Sequence, residues 1–136
     1  MPVYILDSSA LLRYIDNESG ADRVNAILKE CASLQAKACI SAIQWGEVAG
    51  NLRKRVGETQ QMRILNSLLP SELEVVSASA ERAIRAASVK VDRKIAYADA
   101  FALELALDSA ENVLVTADFG FKEVADLVQI EFLPAK

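Results

Sequence analysis

Short apolar runs of β-favouring residues recur along the chain, and each is followed by a stretch of helical periodicity. The first, Val3-Tyr4-Ile5-Leu6, is apolar on both faces, as a strand covered on both sides of a parallel sheet must be. Asp7-Ser8-Ser9 supplies helix-start residues, and Ala10 to Ile15 reads as a short helix. After a turn over Asn17 to Gly20, the residues Val24, Ile27, Leu28, Cys31 and Leu34 repeat at helical spacing. Ala38-Cys39-Ile40, Glu74-Val75-Val76, Val113-Leu114-Val115 and Ile130-Glu131-Phe132-Leu133 are the further strand candidates. Between them the sequence predicts more helices. One opens at an S-x-x-Q capping box, Ser41 and Gln44, and stops at Gly57. The next runs from Thr59 to Leu69 and is stopped by Pro70. Another opens at Ser79 and Glu81, and an Ala/Leu-rich helix spans Ala96 to Leu107. A short helix starts near Phe121. Alternation of this kind predicts an α/β chain with a mostly parallel sheet of four or five strands between helical layers. With 136 residues and no linker, repeat or composition break, a single domain over 1–136 is expected.

Composition narrows the chemistry. The chain contains no histidine, which removes Ser-His-Asp and Cys-His catalysis, His-ligated zinc and imidazole acid/base steps. A net charge of −4 gives no bulk attraction for nucleic acid. Two cysteines, Cys31 and Cys39, are too few for a disulfide framework and read as buried thiols in a reducing compartment. No basic segment precedes the apolar run at Val3, and no run approaches the length of a membrane span. The expected location is cytoplasmic.

Ligands of open α/β sheets bind beyond the carboxyl ends of the strands. Asp7 directly follows the first strand, Asp118 comes shortly after the fourth, and Glu47 lies about two turns into the helix after the second. Asp99 joins them if its helix begins at the same edge. Carboxylates gathered in one cleft repel, and a hard divalent cation resolves the conflict; oxygen-only ligands favour Mg²⁺ or Mn²⁺. Such an ion activates water and stabilises charge on a phosphodiester, chemistry that needs no histidine. Each acid also has a plainer reading. Asp7 and Asp118 suit helix caps or turns, and Glu47 and Asp99 suit solvated helix faces. The small residues around Glu47, with Gly46 inside a helix, predict a close approach there.

These segments resemble the motifs of PIN-domain nucleases. Ile5 to Leu12 is similar to their opening motif, Ser41 to Glu47 to the second, Tyr97 to Leu103 to the third, and Val115 to Phe121 to the fourth, T-x-D-x-x-F. The compact form resembles the VapC toxins of toxin–antitoxin systems. The resemblance implies an α/β/α sandwich and a Mg²⁺- or Mn²⁺-dependent endoribonuclease. It implies acidic roles for Asp7, Glu47, Asp99 and Asp118, with hydroxyl support from Ser9 and Thr116. It further implies an RNA substrate, a homodimer, and a VapB-like antitoxin joined with it in a heterotetramer or larger assembly. Beside Asp118 there is no additional acid, so a firmly held second metal is not implied.

Among basic residues, Lys90, Arg93 and Lys94 stand just before Asp99 and are candidate phosphate contacts, with a solvated turn as the alternative. Arg53, Lys54 and Arg55 suit a helix end, with contact to RNA phosphates as the alternative. Trp45 suits base stacking or a core contact. Two rival functions remain. One is a receiver-like phosphoacceptor domain, which fits poorly because Asp7 is followed by serines rather than a paired acid. The other is a catalytically inactive PIN-like scaffold.

Overall fold

The computed structural model describes residues 1–69 and 72–136. Five strands, β1 (Val3–Leu6), β2 (Lys37–Ser41), β3 (Glu74–Val76), β4 (Val113–Thr116) and β5 (Gln129–Phe132), form one sheet in the order β3-β2-β1-β4-β5. Every pairing is parallel. Five helices join them: α1 (Ser8–Ile15), α2 (Ala21–Ala32), α3 (Ala42–Leu68), α4 (Ala80–Arg93) and α5 (Tyr97–Ala106). The α/β/α expectation holds. A receiver-like domain would order its strands 2-1-3-4-5, which this sheet does not.

The strand side chains alternate between the two faces. Leu6, Ala38, Ile40 and Val115 enter a core with α1, α2 and α3, which supply Leu11, Val24, Ile27, Val48 and Leu52. Ile5, Cys39 and Leu114, aligned across three strands, enter the opposite core with Leu103, Ala106 and Phe121. Both cysteines are buried and free, and burial together with the neighbouring Glu74 pushes the Cys39 thiol up to about 12. α4 packs on α5 around Ala86, Ala100 and Phe101. Trp45 is half-buried against the first core. No helix among the described residues is long and apolar enough to cross a membrane.

Several local expectations shift. Leu34 does not extend the apolar stripe of α2: the helix ends at Ala32, and Leu34 sits at φ 62 with 83% of its surface exposed. Gly57 does break the helix, at φ 80, a conformation that glycine adopts without steric cost. The stop expected at Pro70 lies outside the described residues. Gly46 faces open space, with nothing within 4 Å of a Cβ placed there, so no close packing explains it. The helix expected near Phe121 is a 3₁₀ turn over Phe119–Val124.

One buried charge lies far from the carboxyl edge of the sheet. Glu104, 2% exposed, accepts hydrogen bonds from Arg82 at 2.9 and 3.0 Å and from Arg85 at 3.1 Å. Arg82 also grips Asp108 at 2.6 Å. The cluster fastens α4 to α5. Arg82→Ala leaves a buried carboxylate with only the more exposed Arg85, and is expected to destabilise the fold by about 2 kcal/mol, allowing for partial solvation of the arginines. Adding Glu104→Leu should recover part of that loss. Urea unfolding of the single and double variants checks this; a double variant no more stable than Arg82→Ala would contradict it.

Candidate metal centre

The strand order reverses direction between β1 and β4, and this is where an α/β sheet opens a crevice. Asp7 lies at its floor, 2% exposed. It caps α1, its Oδ1 accepting from the Ala10 N–H at 2.9 Å and from the Ser9 hydroxyl at 2.7 Å. Its Oδ2 accepts from the Thr116 hydroxyl at 2.5 Å. Capping and site-building are therefore one arrangement. Ser9 in turn accepts from the Ala117 N–H at 2.9 Å, and Thr116 accepts from the Asp118 N–H at 2.9 Å. This chain of hydroxyls stitches the start of α1 to the end of β4. It sets the backbone of Asp118, whose Oδ1 accepts from the Gly120 N–H at 2.8 Å.

Glu47 projects from α3 at the exposed rim, its Oε1 accepting from the Ser8 hydroxyl at 3.3 Å. Asp99 occupies the first turn of α5, half-buried. Asp99 and Asp118 line one cleft of about 430 Å³ together with Arg93, Lys94, Gly120 and Glu123. The structure thus places the start of α5 at the same edge as the other acids.

Electrostatics record the crowding. Burial, then the negative charges of Asp118, Asp7 and Glu47, push Asp99 up to about 6. Burial raises Asp7 as well, opposed by its hydrogen bonds from Thr116, Ser9 and Ala10. Among the described residues no three carboxylates stand close enough to chelate an ion as they are. The donor set nonetheless fits a hard divalent cation. It is all oxygen and carboxylate, the ligand type that Mg²⁺ and Mn²⁺ prefer. Asp7, Asp99, Asp118 and Glu47 are the residues that would hold it.

The basic candidates separate. Lys94 lines the cleft in a left-handed conformation, φ 57, that ends α4. Arg93 also lines it but donates to the Asp126 carboxylate and to the Glu123 carbonyl. Lys90 is exposed and stands outside the cleft lining. Arg55 is bonded to Asn51 and Asp16, and Arg53 is paired with Glu58, so this helix segment is engaged locally.

Gln44 was legible only as a capping residue, and it does something else. Ser41 caps α3 alone, accepting from the Ile43 N–H at 3.2 Å. The fully buried Gln44 instead accepts from the Ser8 N–H at 2.7 Å and donates to the Ala98 carbonyl at 2.6 Å. No local pattern reveals partners so distant in sequence.

Solved structures share this fold. A VapBC2 complex from Rickettsia felis bound to a promoter DNA fragment superposes with a TM-score of 0.73 at 19% identity, covering 97% of this chain and 99% of that one. A toxin–antitoxin complex from Klebsiella pneumoniae gives 0.73 at 20% identity over 98% and 99%. The sarcin–ricin-loop-cleaving toxin VapC20 of Mycobacterium tuberculosis gives 0.71 at 18% identity over 94% and 98%. No curated protein sequence matches the chain at a significant level. The PIN domain family model matches residues 4–127, a span that contains Asp7, Glu47, Asp99 and Asp118. The chain belongs to the PIN domain family.

Proposed function

We propose that this protein is a Mg²⁺- or Mn²⁺-dependent endoribonuclease, the toxin of a toxin–antitoxin pair, acting in the cytoplasm as a homodimer held in check by a VapB-like antitoxin. One observation carries the nuclease reading. Four carboxylates on separate elements lie at the carboxyl edge of a parallel sheet, and burial together with the charges of Asp118, Asp7 and Glu47 raises Asp99. Fold neighbours that include a VapC20 toxin and VapBC complexes support the biological setting.

The divalent ion supplies charge neutralisation and an activated water for in-line attack on a phosphodiester. Asp7 is oriented by its three donors and would be one of the carboxylates that hold the ion. Thr116 and Ser9 orient it and set the path of the chain into Asp118. Asp99, which burial and the neighbouring acids push up to about 6, would be a ligand whose ionisation the bound ion favours. Glu47 at the rim faces the solvent from which substrate and water arrive. Lys94 contacts the RNA backbone from the cleft wall. Arg93 holds that wall against the 3₁₀ turn while lining the cleft, and Lys90 meets more distant phosphates.

Three outcomes are expected. Asp118→Asn should fold as the wild type and lose Mg²⁺- or Mn²⁺-dependent cleavage of total cellular RNA by on the order of 100-fold or more, the scale of removing one charge-stabilising group from a reacting centre. Undiminished cleavage by the folded variant refutes the assignment. In that Asp118→Asn background, Lys94→Ala should weaken binding of a single-stranded oligoribonucleotide. The slope of log K against log salt should fall in magnitude by about 0.7, one phosphate contact. Identical slopes would remove Lys94 from the RNA path.

The third concerns pH. The folded pKa of Asp99 lies above its unfolded value, so its contribution to stability is fully present below about pH 4 and is lost as pH rises through about 6. Asp99→Asn should therefore melt like the wild type near pH 4 and, without metal, a few degrees above it at pH 7. Mg²⁺ should stabilise the wild type and narrow or reverse that gap. A gap that is the same at both pH values rules out charge crowding at Asp99.

A further inference from the structure

The amide of Gln44 is fixed in one orientation by its partners. Oε1 faces an N–H and Nε2 faces a carbonyl, so a flipped amide would oppose donor to donor and acceptor to acceptor. Those partners lie 36 and 54 residues away in sequence. Ser8 directly follows Asp7, and Ala98 directly precedes Asp99. Gln44 itself stands one turn before Glu47 on α3. One side chain therefore ties together the backbone beside three of the four acids.

Neither tie is needed for helix formation alone. Ser8 carries the first N–H of α1, which has no acceptor within its helix and could be met by water. The Ala98 carbonyl lies in the first turn of α5, whose own start has no side-chain cap. A methionine or leucine would fill the same buried space without the cost of burying an amide. Gln44 is present where the ends of two helices bearing like charges must be kept close.

Resting on the metal-dependent reading above, we infer that Gln44 is a positioning residue of the metal centre: a brace that holds the Asp7 end of α1 against the Asp99 end of α5, so that an ion meets both acids without rearranging the backbone. Outer residues that orient metal ligands act in this way, and their loss costs about 10- to 100-fold in metal affinity.

Gln44→Met keeps the volume and removes both hydrogen bonds. Three readouts test it. Mn²⁺ binding, followed by electron paramagnetic resonance on the RNA-free protein, should weaken by about 10-fold or more. On an oligoribonucleotide that the wild type cleaves, kcat at subsaturating Mg²⁺ should drop, and saturating Mg²⁺ should bring kcat and KM for RNA back to within about twofold of the wild type, since Gln44 touches no substrate. Hydrogen exchange at the Ser8 amide should be slow in metal-free wild type and fast in Gln44→Met. Leu28→Ala, on α2 away from the cleft, is the control for lost stability and should leave Mn²⁺ affinity unchanged.

The outcomes are separable. A wild type that binds no Mn²⁺ and cleaves no RNA overturns the metal-dependent reading and this inference with it. A wild type that does both, beside a Gln44→Met protein of equal Mn²⁺ affinity and kcat, overturns the brace alone. An unprotected Ser8 amide in metal-free wild type also overturns it, whether or not the variant folds.

Discussion

A carboxylate buried at the junction of two strands sets the terms for the rest of the molecule. Asp7 is nearly solvent-free, and an ionised carboxyl in that place is tolerable only with donors around it. Those donors come from the first turn of α1 and from Thr116 at the end of β4. Satisfying them fixes the register of β1 against β4 and the entry of α1, and it leads through Ser9 and Thr116 to the backbone of Ala117 and Asp118. The hydrogen bonds that make the charge bearable are the same ones that aim the second acid.

The site is built against its own electrostatics. Asp99 is half-buried, and that burial, with the charges of Asp118, Asp7 and Glu47, pushes its carboxyl up to about 6. A fold optimised for stability would place a neutral residue there. Strain of this kind is affordable because the two cores on either side of the sheet are filled by fully buried Leu, Ile and Val side chains such as Leu11, Ile40, Leu103 and Leu114. Under the proposed function it would become an advantage on binding a cation, since the repulsion relieved would add to the affinity.

The architecture was readable because period-2 and period-3.6 patterns reflect burial directly, and nearly every strand and helix here has one face or both in a core. The placement of the candidate acids at one edge was readable because strand ends mark the ligand edge of such a sheet, and a family resemblance ran through the same residues. What escaped were long polar side chains taken inside. Gln44 carries a motif with a local meaning, the capping box, yet its partners are Ser8 and Ala98. Glu104 sits on the helical face that periodicity assigns to the core, and its charge is answered from α4. Arg13, on the short α1, donates to the carbonyls of Ser19 and Pro134. In each case the sequence shows a polar residue at a helical position and holds no record of the distant group that satisfies it. Leu34 is the converse, an apolar residue at helical spacing that falls beyond the end of its helix.

Charge at the cleft completes the physical picture. An acidic chain with four carboxylates at one edge repels a polyanion. Most of its arginines are already committed: Arg82 and Arg85 to Glu104, Arg23 to Glu131, Arg55 to Asp16 and Arg93 to Asp126. Lys94 is the lysine that lines the cleft, and a single ammonium does not balance four carboxylates. Under the proposed function, a divalent ion at the acids would contribute two positive charges where a phosphate must come closest, and so would serve RNA binding before it served chemistry. Binding of the two would then be mutually reinforcing, each ligand raising affinity for the other by the same factor. Under that proposal the acid cluster would admit the substrate as well as act on it, and the need for a cation would follow from the charge of the chain itself.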